Sequence, residues 1–138
     1  MLNKSLEEVD ANLRAKEQAV LDTQEEILNG EYEDAADMVR HYFMAERDKY
    51  RAGAEYGVKR SGEFYPGAEQ QSDFFEALLQ SDLPIQTGYL FHEEERYHEI
   101  ADTVNDKQVE NALREKGLAF GNLAIRYAEQ LSRRSNGE

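Results

Sequence analysis

Apolar residues recur along this chain at intervals of three and four, the period of a helix that buries one side. The first stripe runs Leu6, Val9, Leu13, Val20 and Ile27, with Lys16 and Thr23 in the seam. Ser5 and Glu8 frame its start as a capping box, in which hydroxyl and carboxylate each satisfy an amide that the first turn leaves unpaired. Asn29-Gly30 closes it, because glycine adopts the left-handed turn that ends helices. The pattern predicts a first helix over residues 5–29. A second stripe of Ala35, Met38, Tyr42, Ala45, Ala52 and Tyr56, widened by Val39, Phe43 and Val58, predicts a helix over 32–60. Ala45, Ala52, Gly53, Ala54 and Gly57 make one side of it small enough for a neighbouring backbone to come close. Gly53 and Gly57 also weaken that half by about 1 kcal/mol each relative to alanine.

Ser61 to Gly67 reads as a loop carrying two aromatics, Phe64 and Tyr65. A short helix over 69–81 follows, bearing Phe74, Phe75, Leu78 and Leu79. Ser81-Asp82-Leu83-Pro84 stops it and restarts a helix with proline in its first turn. This fourth helix, over 84–104, takes Ile85, Tyr89, Leu90, Tyr97, Ile100, Ala101 and Val104 as its apolar side. Asn105-Asp106 caps a last helix over 106–133, built on Val109, Leu113, Phe120, Leu123, Tyr127 and Leu131. Long helices with short connections predict an all-α fold, a four- to five-helix antiparallel bundle forming one domain over 1–138. The longest helices would measure about 40–45 Å at 1.5 Å per residue. That length in a chain of 138 residues leads to the expectation that a second copy covers part of them.

Composition narrows the picture. There is no cysteine, hence no disulfide or thiolate metal site. No apolar run approaches the roughly 20 residues that span a bilayer. The start Met1-Leu2-Asn3-Lys4 leads straight into a polar helical pattern rather than a signal sequence, so a cytoplasmic or virion-associated protein that is not secreted is expected. The net charge is −13, concentrated between residues 63 and 105. Binding to a nucleic-acid backbone is disfavoured, since phosphates demand a cationic stripe. Basic residues cluster at Arg47–Arg60 and Arg126–Arg134, where they can face the acidic segment or a partner. Strong acidity with arginine exceeding lysine also suits a high-salt host.

The densest candidate chemistry is His92-Glu93-Glu94-Glu95-Arg96-Tyr97-His98-Glu99. At 100° per residue His92, Glu95 and Glu99 share a face, with His98 at its edge. Glu95 and His98 have the Glu-x-x-His spacing by which ferritin-like bundles put two ligands on one helix. With one such pair, a dinuclear site needs a dimer. Asp37 and His41, or Glu46, on the second helix are the natural facing ligands, and iron or another divalent metal is the cofactor this reading implies. A solvated acidic face writes the same letters, with no cofactor at all. All-helical nucleotide pyrophosphohydrolases hold Mg²⁺ with paired acidic motifs, and Glu31-x-x-Asp34 and Glu99-x-x-Asp102 offer that spacing, although no basic cluster beside Glu99 holds a phosphate. Nothing supports nucleophilic catalysis: the chain has no Gly-x-Ser-x-Gly and no phosphate-cradling loop. The glycine pairs Gly53/Gly57 and Gly117/Gly121, each four apart, indicate close helix packing.

Three functions remain. The first is a non-enzymatic, homo-oligomeric component, structural, assembly or adaptor in role and viral settings included, with Phe64, Tyr65, Phe74 and Phe75 as interface anchors or seals of a bundle end. The second is the metal-binding bundle. The third is an acidic inhibitor or nucleic-acid mimic that docks a partner with a basic surface.

Overall fold

The computed structural model describes residues 4–63 and 66–135. The described residues form an all-α bundle with packed helix pairs, and 87% of them lie in five helices. In order these are α1 (Leu6–Asn29), α2 (Ala35–Ser61), α3 (Pro66–Leu79), α4 (Leu83–Ala101) and α5 (Lys107–Ser135). None of these helices is long and apolar enough to cross a membrane.

The helix ends follow from local chemistry. The Glu8 amide donates to Ser5 Oγ at 3.1 Å, and the Ser5 amide to Glu8 Oε1 at 3.4 Å, so the capping box forms. At the other end of α1, Gly30 takes φ +67°. Its amide reaches Ile27 O and that of Glu31 reaches Glu26 O, both at 3.1 Å, the paired bonds of a glycine stop. α2 begins three residues later than the apolar pattern predicts, because the Asp34 carboxylate accepts from the Asp37 amide at 3.0 Å and acts as the cap. α3 begins three residues earlier, at Pro66: proline fits a first position where no N–H is needed. α4 stops at Ala101 rather than 104, since Thr103 turns back and bonds Ile100 O through both its amide and its hydroxyl. Asp106 Oδ1 caps α5 by accepting from Gln108 N at 2.9 Å and Val109 N at 3.3 Å.

The contacts divide into two compact units, and each takes a part of α1 and of α2. Unit 1 comprises residues up to Gln24 together with Arg40–Gln80. Its buried apolar residues are Val9, Val20, Tyr42, Phe43, Ala52, Phe75 and Leu78. Phe75 meets Phe43 at 6.3 Å, stacks on Tyr50 at 6.0 Å and takes Phe74 edge-on at 5.4 Å. Beside this cluster Glu76 Oε1 accepts from Arg47 at 3.0 Å and Arg51 at 3.1 Å, and Arg51 also reaches the buried hydroxyl of Ser72. A hydrogen bond from Gln80, and then those from Arg47 and Arg51, hold the Glu76 carboxyl below its ordinary range. Two of the four aromatics expected at an interface thus have a place: Phe75 is core, whereas Phe74 is 44% exposed. Phe64 and Tyr65 lie outside the described residues.

Unit 2 comprises Glu25–Val39 and the chain from Ser81 onward, and holds α4 and α5 as a packed pair. Leu90, Tyr97, Ala101, Phe120, Leu123 and Ala124 are buried in it. Its other fastening is Asp34, which accepts from Gln130 Nε2 at 2.8 Å and Arg134 at 3.4 Å while Gln130 Oε1 takes the Ala36 amide. The Asp34 carboxyl is held low chiefly by the Asp37 amide and then by Gln130. Arg126 lies 4.2 Å over the Tyr32 ring and donates to Tyr32 O at 3.1 Å.

Candidate functional site in the α4–α5 pair

The inward line of α4 is Gln86, Leu90, Glu93, Tyr97 and Ala101, all buried. This is a helical stripe with two polar members, which the apolar pattern does not find. Ile85 and Ile100, expected inside, are 55% and 38% exposed. The reason is that both polar positions have partners. Tyr127 on α5 donates its phenol proton to Gln86 Oε1, and burial pushes that phenol above its ordinary range. Arg96 grips Glu93 through both guanidinium edges, Nε to Oε1 at 3.2 Å and Nη2 to Oε2 at 2.9 Å. The Glu93 side chain is only 6% exposed against 49% for Arg96, so the pair has one buried and one wet end. The bond to Glu93 raises the Arg96 pKa.

The next residue packs against glycine. A Cβ at Gly121 would fall 2.5–2.8 Å from the carboxylate atoms of Glu94. One at Gly117 would meet Glu94 O at 3.0 Å, with Tyr97 Cβ and His98 Nε2 each at 3.3 Å. The pair four apart on α5 therefore receives α4 closely, as its spacing predicts. Tyr97 stacks on Phe120 with rings 5.8 Å apart and nearly parallel, and Lys116 Nζ lies 5.2 Å from the Tyr97 ring centre.

This rotation of α4 disperses the candidate metal ligands. His92, Glu95 and Glu99 are exposed, and the half-buried His98 has Glu94, rather than Glu95, as its nearest carboxylate, at 3.9 Å. On α2, His41 is exposed and Asp37 half-buried. Glu46 is buried, with Lys49 Nζ 3.2 Å from Oε1 but off the line of a hydrogen bond. Among the described residues no three His, Asp or Glu side chains gather as a metal ion requires. Of the acids in the Mg²⁺ reading, Asp34 is the α2 cap and Asp102 accepts from Arg114 at 2.7 Å. Glu110 shares that arginine and sits below the ordinary carboxylate range because of it.

Among the polar residues that the pair presents outward, α5 also exposes large apolar side chains. Leu118 and Ile125, seven residues apart on α5, are 52% and 47% exposed. Ile125 joins Leu28, Tyr32, Ala119 and Asn122 around a groove of about 320 Å³. Sequence reading missed this face because the eye follows the stronger stripe of Phe120, Leu123 and Tyr127. The seven-residue step from Leu118 to Ile125 was its only signal. Comparison with protein-family models, with curated proteins and with solved structures finds no match to this chain.

Proposed function

We propose that this chain is a non-enzymatic helical protein that works by associating with copies of itself, as a structural, assembly or adaptor component. The observation that carries the reading is the exposed seam of Leu118 and Ile125 beside Leu28 in unit 2. Single exposed leucines are commonplace on proteins. Two exposed apolar residues at a heptad step, the second of them (Ile125) bordering a groove, suit the knobs of a second helix. The occupant we assign is a second copy of α5.

Charge then sets the sign of the test. Copies that each carry −13 repel, so association through an apolar seam strengthens as salt screens them. Sedimentation velocity on the intact chain at low and high salt is expected to give a larger species at high salt. Ile125→Glu should return it to monomer with its helicity unchanged. A chain that stays monomeric at high concentration in both salts, or an oligomer indifferent to Ile125→Glu and Leu118→Glu, overturns the proposal.

A further inference from the structure

Unit 1 has a larger groove of its own, about 590 Å³, where the end of α2 borders the start of α3. That volume lies within the roughly 300–1,000 Å³ typical of small-molecule sites. Its walls are chemically one-sided. Gly53, Gly57, Pro66, Gly67 and Ala68 bring no polar side-chain atom. The Ser61 hydroxyl is spent on Gly57 O at 2.9 Å. At one end Arg60 Nη1 donates to the Tyr56 hydroxyl oxygen at 3.1 Å. The phenol then keeps its proton to give, and the guanidinium keeps further N–H groups, so these two side chains offer donors and a positive charge. In a chain with 29 acids and 16 bases, no carboxylate among the described residues pairs with Arg60 or its neighbour Lys59.

We infer that this groove binds a small amphipathic carboxylate, with its hydrocarbon chain along the wall of small residues and its carboxylate on Arg60 and Tyr56. The match is one of charge and of hydrogen-bond type: a ligand that only accepts, at one end, and is apolar elsewhere leaves nothing unpaired. An extended peptide would bring amides and carbonyls along its whole length, and Gly53, Gly57, Pro66, Gly67 and Ala68 offer them no side-chain partner. The inference stands apart from self-association, which uses unit 2.

Isothermal titration of the intact chain with decanoate, decanol and an acidic amphipathic helical peptide tests it, with the amphiphiles kept below their micelle concentrations. Decanoate is expected to bind saturably at one per chain, and decanol more weakly. Arg60→Gln should weaken decanoate at least tenfold and leave decanol unchanged. Gly57→Leu, checked for helicity, should fill the groove and remove both; Ala68→Leu makes the same test from α3. No saturable uptake of decanoate overturns the inference. So does binding that ignores Arg60→Gln and both filling variants, or a bound peptide that decanoate does not displace.

Discussion

Two glycine pairs with identical spacing end in opposite situations. Gly117 and Gly121 on α5 lie under α4, with a backbone carbonyl, an imidazole and a carboxylate where their side chains would be. Gly53 and Gly57 on α2 border an open groove, and a Cβ at Gly53 would meet only Leu13 Cδ1, at an ordinary 3.9 Å. The sequence signature is the same, so the difference lies in what packs against it. In the α4–α5 seam a side chain at 117 would press on a backbone carbonyl, and one at 121 would have to push the Glu94 carboxylate aside. On α2, Gly53 leaves open space, kept at a cost in helix propensity.

The seam is accordingly expected to be brittle and the groove tolerant. The largest contrast concerns the arginines. Arg96→Ala leaves Glu93 buried without its partner and should destabilise by about 2–3 kcal/mol, below the 3–5 typical of fully buried pairs because Arg96 is half exposed. Arg60→Ala should change stability by no more than about 0.5 kcal/mol, as at most surface positions. Denaturant titration measures both; equal effects would erase the distinction.

Next come the glycines themselves. Gly117→Ala should destabilise by about 1–2 kcal/mol, since a helical carbonyl cannot retreat. Gly53→Ala should stabilise by about 0.5–1 kcal/mol through helix propensity. A stabilised Gly117→Ala would mean that the seam is looser than its geometry.

The smallest effect is on pH. Asp34 has a lowered pKa in the folded chain, so its contribution is present above the ordinary 3.8 and is lost as pH falls through the depressed value. Tyr127 has a raised one, so its contribution is whole below 10 and is lost as pH climbs through the elevated value. Thermal melts across pH should fall at both limits, and Asp34→Asn should blunt the acid limb alone.

The five helices were legible in the sequence because caps and apolar period agree, as at Ser5–Glu8, Gly30 and Asp106. Their ends moved where a single side chain decided the matter, as Asp34 and Thr103 did. The facing of α4 was not legible. Gln86 and Glu93 occupy buried positions because Tyr127 and Arg96 satisfy them, and Gln86 lies 41 residues from its partner, beyond any local pattern. The His/Glu run was visible as a cluster of letters, but only that rotation separates Glu94 and His98, at the seam, from His92, Glu95 and Glu99 in solvent.

The glycine seam also bears on genetics. At position 121 the obstacle is the end of a flexible side chain, and Glu94 is 26% exposed, so it has somewhere to go. A larger residue there is open to rescue by a second change that shortens Glu94. At position 117 the nearest obstacle is Glu94 O, an atom that every amino acid carries. No exchange at residue 94 removes it. A suppressor screen begun from a bulky residue at 121 should therefore return changes at 94, whereas one begun at 117 should return only reversion to glycine or compensation elsewhere in the chain.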